Sequence, residues 1–175
     1  DDLGAKTVAT IYINNDWGVA ANKFFVEAAK KMGAKVVAEE AFITGERDFS
    51  SILTKIKKAN PDLLYLPTFY ADASSIMTQA RRMRYKPKVL STGSLYSPEL
   101  IKLGGKAVEG LLSNAVYFPN DPRPAAKEFT RDFRSVYGKD PSTFAALGYD
   151  AANLVVAAMH MAGTEDRAAI RVALE

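Results

Sequence analysis

Apolar and polar positions follow two different periods along the first two thirds of the chain. Residues 7–13 form a nearly continuous apolar and β-branched run, which is typical of a parallel strand covered on both faces. The polar loop of Asn14, Asn15 and Asp16 can cap a helix, and residues 16–32 then carry apolar side chains at helical spacing. This opening stretch predicts a buried strand that runs directly into a helix.

The strand-then-helix order repeats as far as residue 116. We predict further strands at 35–41, 62–66, 88–91 and 109–116, and helices at 48–59, at 71–84 and, briefly, from Ser97. Spacings of this kind are typical of βαβ units, in which parallel strands carry helices on both faces of the sheet. The predicted fold class is α/β, a Rossmann-like parallel sheet flanked by helices.

The pattern changes after Tyr117. A segment of residues 118–122 with two prolines leads to two consecutive predicted helices, 122–137 and 143–162, with no strand between them. The second helix is apolar on nearly every side, so it needs burial over most of its surface. One or two amphipathic turns follow from Thr164. We therefore place a domain boundary at residues 117–121.

Composition narrows the classes of function. The 175 residues include 23 Lys and Arg against 20 Asp and Glu, a net charge of +3, and the basic residues are spread over helix faces. Nucleic-acid binding usually needs a denser basic stripe, so no nucleic-acid partner is predicted. Because the sequence contains no cysteine, disulfides, thiol catalysis and cysteine-ligated metals are excluded.

Targeting and membrane signals are also missing from the sequence. It contains no signal peptide and no apolar run long enough to span a bilayer. The opening Asp-Asp-Leu-Gly-Ala leads at once into a core strand, which is unusual for a natural start. We expect these residues to be a piece of a longer protein, or a processed one.

Sequence signals for catalysis are weak. No glycine-rich dinucleotide or phosphate loop follows the first strand, and Ser94 lacks the flanking glycines of a nucleophile elbow. The single histidine, His160, lies between two methionines in an apolar helix, and one histidine cannot supply a metal triad. No paired-carboxylate spacing is formed by the acids Asp16, Glu39, Glu40 and Asp72. We therefore predict a protein that is not an enzyme and needs no cofactor or metal.

Aromatic and small polar residues collect where the predicted strands end. Aromatic walls combined with hydroxyls and backbone amides suit a small organic ligand, and the carboxyl ends of parallel strands are where α/β sheets bind ligands. The alternative interpretation is that Trp17 and Phe69 only pack their loops onto the sheet. The cluster consists of Trp17, Thr68, Phe69, Tyr70, Thr92, Gly93, Ser94 and Tyr96.

Four longer stretches carry a family resemblance. They are INNDWG, ITGERDFSSILTKIKKANPDLLYLPTFYADASSIMTQARRM, STGSLYSPELIKLGGKAVEGLL and KDPSTFAALGYDAANLV. Together they resemble the type I periplasmic binding proteins, and among those the branched-chain amino-acid receptors that deliver ligands to ABC transporters. The resemblance covers almost the whole chain.

The resemblance implies an architecture and a function. Family members close two Rossmann-like lobes on a ligand, so residues 1–117 are expected to be lobe two and 118–121 the hinge crossing. Residues 122–175 are then a helical part of the first lobe, whose sheet is absent from this sequence. The implied protein is a periplasmic or other extracytoplasmic solute receptor that serves a membrane permease.

Two other functions remain open at this point. One is a ligand-sensing regulatory module of the same fold, coupled to a signalling partner. The other is a Rossmann-like enzyme, which the missing phosphate-binding glycines disfavour. If these residues are the whole molecule, the apolar helices should also form a homodimer through residues 122–162.

The resemblance also implies roles for individual residues. Trp17 and Phe69 match positions where the family places aromatic side chains against the ligand, and Phe144 matches a contact on the hinge side. Gly93 and Ser94 match the loop in which amino-acid receptors present an acid to the ligand's ammonium group, and this chain has no acid there. A buried ammonium group needs such a partner, so we expect aromatic or aliphatic carboxylates to bind better than leucine, with an amide as a further alternative.

Overall fold

The computed structural model describes residues 3–175, and its first part is built on one parallel sheet. The strand order is β2-β1-β3-β4-β5, and every neighbouring pair is parallel. The predicted α/β class is confirmed. The strands are β1 Thr7–Ile13, β2 Lys35–Phe42, β3 Leu63–Tyr65, β4 Val89–Ser91 and β5 Leu112–Ser113.

Seven α-helices are found among the described residues, and most begin or end within two residues of the predicted bounds. They are α1 Asp16–Lys31, α2 Ser50–Ala59, α3 Tyr70–Arg82, α4 Pro98–Gly104, α5 Pro124–Tyr137, α6 Thr143–Ala162 and α7 Arg167–Leu174. Short 3-10 turns lie at Gly93–Leu95 and Gly105–Val108. Helix α2 begins later than predicted because Asp48 accepts a hydrogen bond from the Ser50 amide, 2.9 Å away, and stays outside the helix.

The fifth strand is much shorter than predicted. Residues 109–116 were expected to be extended, but only Leu112 and Ser113 join the sheet. The reason is that β5 is an edge strand whose one neighbour, β4, is itself three residues long and pairs with it at two positions. The prediction of an eight-residue strand was wrong.

Side chains of β1 point alternately to two different packing layers. Ala9, Ile11 and Ile13 lie in the main core, which α2 and α3 cover. Its largest fully buried side chains include Phe49, Leu53, Ile56, Ile76 and Met77. Val8 lies on the other face, with Ala29 of α1 and Leu63 of β3. On that face Phe25 of α1 stacks on Tyr65 with ring centroids 3.9 Å apart.

The edge strand β2 is more highly charged and less regular than the central strands. β2 carries Lys35, Glu39 and Glu40, and its pairing with β1 shifts register at Val37, as in a β-bulge. Glu40 pairs with Lys55 at 2.9 Å. Charged side chains and bulges are features that limit strand addition at an edge.

Asp62 anchors the start of β1. Its Oδ2 accepts hydrogen bonds from the Thr7 amide at 2.8 Å, the Lys6 amide at 2.9 Å and the Thr7 hydroxyl at 2.9 Å. These bonds favour the charged carboxylate, so the pKa of Asp62 lies below its usual value, mainly because of Thr7. The loop before β3 is thereby tied to the beginning of the central strand.

The described chain divides into two compact units between Val116 and Tyr117. Within the second unit, Phe129 of α5 packs against Tyr117 at 5.4 Å and Tyr149 of α6 at 4.8 Å between ring centroids. The hydroxyls of Tyr117 and Thr130 lie 2.7 Å apart, within hydrogen-bond distance.

Helix α6 is apolar nearly all round, as predicted, yet little of it is buried. Its buried residues are Thr143, Ala146 and Ala158. Large apolar side chains of α5 and α6 are exposed, among them Val136, Leu147, Leu154, Val156 and Met161, the last of which is 76% exposed. The expectation that these faces need a partner stays a prediction.

Candidate ligand-binding site

Three loops meet at the carboxyl edge of the sheet, after β1, β3 and β4. These strands are consecutive neighbours and parallel, so their following loops emerge side by side. The Ile13 amide donates to the Pro67 carbonyl at 3.4 Å, which links the end of β1 to the loop after β3. The predicted site residues of the first unit all lie on these loops or in the first helical turns after them.

The start of α1 is held tightly against the end of β1. Asn15 caps the helix, because its Oδ1 accepts a hydrogen bond from the Gly18 amide at 2.7 Å. Gly18 is buried, and a Cβ placed on it would lie 2.0 Å from the carbonyl oxygen of Ile13. Glycine is therefore required for this close approach, which sets the position of Trp17 at the edge of the sheet.

Trp17 and Phe69 form a stacked aromatic pair. Their ring centroids lie 5.2 Å apart with 24° between the ring planes. Phe69 packs against the main core, whereas Trp17 remains 38% exposed. The rings do pack their loops together, as the alternative interpretation held, but they also leave an accessible aromatic surface for a flat or aliphatic group.

A chain of hydroxyls connects the loops after β3 and β4. Ser94 Oγ donates to the Thr68 carbonyl oxygen at 2.7 Å, and Thr92 Oγ1 lies 2.6 Å from Ser94 Oγ. Because Ser94 gives its one hydroxyl hydrogen to Thr68, Thr92 is the donor in the second bond. At the end of β4, the Ser91 hydroxyl donates to the Leu66 carbonyl oxygen. Three of the predicted site residues are thus held together by direct bonds.

Asp72, for which the sequence predicted no role, joins this network. It lies in the first turn of α3, and its Oδ2 accepts a hydrogen bond from the hydroxyl of fully buried Thr68 at 3.3 Å. Burial raises the pKa of the Asp72 carboxyl above its usual value, and the bond from Thr68 opposes the shift. The missed signal was the four-residue spacing from Thr68, which brings the two side chains together at the helix start.

The remaining predicted residues have separate surroundings. Gly93 is buried in its 3-10 turn, where a Cβ would lie 3.2 Å from the Asn114 carbonyl oxygen. Tyr70 is half-buried, and its carbonyl accepts a hydrogen bond from Ser74 Oγ at 2.7 Å. Phe144 belongs to the second unit, where it lies in the first turn of α6 and is 47% exposed.

Residues 3–175 offer neither a cluster of metal ligands nor a membrane-spanning helix. This part of the chain holds no group of three or more His, Asp or Glu side chains arranged to bind a metal ion. Nor does it contain a helix with the length and apolar character needed to cross a membrane.

The parallel sheet flanked by helices agrees with a known family. The sequence model described as periplasmic binding protein matches residues 1–175. The chain belongs to this family. The match confirms the resemblance stated from the sequence, and the branched-chain amino-acid group within the family is supported by the relatives.

Relatives of this chain are named as binding proteins. The chain is 27% identical to Leu/Ile/Val-binding protein homolog 2 of Brucella abortus (strain 2308), over all of this chain and 47% of that protein. The chain spans about half the length of the curated relatives it matches. These relatives are substrate-binding proteins and not enzymes, in agreement with the sequence prediction.

Solved structures of family members show the same fold. A leucine-binding protein of Thermotoga maritima has a TM-score of 0.92 at 35% identity, over 99% of this chain and 50% of that chain. A branched-chain amino acid transporter substrate-binding protein of Streptococcus pneumoniae, in complex with isoleucine, has a TM-score of 0.89 at 29% identity, over 99% and 49%. A fatty acid ABC transporter substrate-binding protein of Thermomonospora curvata has a TM-score of 0.85 at 26% identity, over 97% and 45%.

Proposed function

We propose that the chain is part of an extracytoplasmic solute-binding receptor that delivers a small organic ligand to the membrane permease of an ABC transporter. The family match over residues 1–175 and the names of the relatives support this class of function. The compartment follows from the same relatives, because periplasmic binding proteins act outside the cytoplasm.

The stacked pair of Trp17 and Phe69 is the observation that carries the proposal. It offers an aromatic surface, partly open, at the edge where α/β sheets bind ligands. The ligand class comprises branched-chain amino acids, amides, and aromatic or aliphatic carboxylates. Thr68, Tyr70, Thr92, Gly93 and Ser94 would shape the polar side of the site, and Phe144 is proposed as a contact on the hinge side.

The proposed mechanism is closure of two lobes. Residues 1–117 would form the second lobe, residues 118–121 the hinge crossing, and residues 122–175 a helical part of the first lobe. A ligand that contacts both lobes binds the closed state better than the open one, and so shifts the population towards closure. The permease would then recognise the closed receptor.

A substitution of Trp17 tests the site. In the intact protein, with any sequence that accompanies these residues, a thermal-shift screen first identifies ligands among amino acids and small carboxylates. Trp17→Ala should then weaken binding by about 2–4 kcal/mol in a calorimetric titration, as for an aromatic contact at a binding hot spot. Folding should stay nearly intact, because the ring lies at the edge of the core.

The matched control is Phe24→Ala, which removes another aromatic ring of α1 that is 68% exposed and lies two turns further along the helix. It should leave the dissociation constant unchanged. An unchanged dissociation constant in Trp17→Ala would assign the ring to loop packing alone. Small-angle scattering tests closure, because the radius of gyration should fall when ligand is added.

A further inference from the structure

Asp72 is a partly buried carboxylate without a positive partner. Its Oδ2 accepts one hydrogen bond, from Thr68, and no ion pair within residues 3–175 includes it. A carboxylate that loses part of its hydration gains free energy when a cation binds beside it. Asp72 is therefore a place where a positively charged group would be favoured.

The location of Asp72 connects it to the candidate site in two ways. Phe69 is the N-cap residue of α3, and Asp72 lies three positions later. Residues with this spacing are neighbours on the surface of a helix. Thr68, which holds the carboxylate, also receives the Ser94 hydroxyl on its carbonyl oxygen. The carboxylate is thus bonded directly to the network that joins the two loops.

We propose that Asp72 binds the ammonium group of an amino-acid ligand whose apolar side chain lies against Trp17 and Phe69. This inference rests on the proposed receptor function and narrows its ligand class. It assigns the ammonium-binding role to a residue outside the Gly93–Ser94 loop, the loop in which the family resemblance implies an acid.

The packing of Gly93 explains why the acid is not found in that loop. A side chain at Gly93 would begin with a Cβ 3.2 Å from the Asn114 carbonyl oxygen, closer than side chains normally approach a backbone. An acid there would require the neighbouring backbone to shift. Asp72 supplies a carboxylate from the first turn of α3 without that cost.

The inference reverses the ligand preference expected from the loop sequence alone. A carboxylate ligand without an ammonium group would bring a second negative charge towards Asp72, and like charges repel. An amino acid instead supplies the missing positive partner. Leucine should therefore bind better than 4-methylpentanoate, which has the same carbon skeleton and carboxylate but no ammonium group.

The test uses such matched pairs of ligands on the intact protein. Calorimetric titrations measure leucine against 4-methylpentanoate, valine against 3-methylbutanoate, and phenylalanine against 3-phenylpropanoate. Asp72→Asn should weaken the preferred amino acid about 10- to 100-fold, the range expected for a hydrogen bond to a charged group. Affinity for the matching carboxylate should stay the same or rise.

Two further variants separate a contact with the ligand from a structural role. Asp72→Glu keeps the charge and should keep the preference for the amino acid. Asp16→Asn removes an exposed acid from the first turn of α1, at the same edge of the sheet, and should leave both ligands unaffected. Equal losses for both members of a pair in Asp72→Asn would indicate a structural role and overturn the inference.

The wild-type protein alone also gives a decisive result if Asp72→Asn does not fold. A wild-type preference for the carboxylate of each pair would overturn the role of Asp72 and leave the receptor function standing. Binding to no member of the panel would overturn the inference, and binding to no compound in a wider screen that includes amides would overturn the receptor function as well. Preference for the amino acid that disappears in Asp72→Asn and persists in Asp72→Glu supports the inference.

Discussion

Gly18 determines where Trp17 lies, so its replacement tests the structure of the site edge directly. Gly18→Ala adds one methyl group, whose carbon would lie 2.0 Å from the Ile13 carbonyl oxygen and 2.7 Å from Ile13 Cγ2. The backbone at Gly18 is helical, so the strain comes only from this contact and not from the backbone dihedrals. The first turn of α1 must move away from β1 to accommodate the methyl group.

The expected cost follows from that overlap. Overpacking usually destabilises a protein by about 1–3 kcal/mol, and a clash with a rigid backbone carbonyl belongs at the upper end of this range or beyond it. We expect the free energy of unfolding to fall by about 3 kcal/mol or more. The displacement of Trp17 should also weaken ligand binding in the same variant.

Gly148→Ala is the matched control, because Gly148 is a helical glycine of α6 with no atom within 4 Å of an added Cβ. Helix propensity predicts that this change stabilises its helix by about 0.5–1 kcal/mol. Urea unfolding followed by circular dichroism measures both variants, and the fluorescence of Trp17, the single tryptophan, reports on the first unit. Equal stability of the two variants would refute the close approach at Gly18.

Two further predictions concern stability and association. The pKa of Asp62 is lowered in the folded state, so its contribution to stability should be present above the unfolded pKa of about 3.9 and disappear as the pH falls through the folded value. In urea titrations Asp62→Asn should be less stable than the wild type at pH 7, and its stability should fall less than that of the wild type between pH 7 and pH 3. A pH dependence equal to that of the wild type would contradict this. The isolated 175-residue chain should dimerise or swap helices through residues 122–162, because each large apolar side chain left in water costs about 1.5–3 kcal/mol. Light scattering measures this, and a stable monomer with folded helices would count against it.

Local signals predicted several elements to within one residue. The bounds of β1 are clear because Lys6 and Asn14 flank its apolar run, and α6 is delimited by its cap Ser142 and by Gly163. The length of β5 was not predictable, because it depends on the short neighbouring strand rather than on residues 109–116 themselves. Edge pairing is a property of the sheet and leaves little trace in one strand's sequence.

The candidate site, like the fold, was only partly predictable from the sequence. Trp17 and Phe69 follow two strands of one parallel sheet, so their proximity could be expected from the strand-helix order. The four-residue spacing from Thr68 was too weak a signal to single out Asp72, since acids are common in first helical turns, where they interact favourably with the helix dipole. Its significance depends on partial burial and on the bond from Thr68, which only the packed structure reveals.

The two edge strands of the sheet, β2 and β5, limit how this chain can self-associate. Cross-β growth needs a long, flat edge with free backbone groups, whereas β2 is charged and bulged and β5 offers two residues. Self-association should therefore proceed through side chains of helices. Concentrated samples should form larger species without additional β-structure in their circular dichroism spectra and without dye binding typical of amyloid.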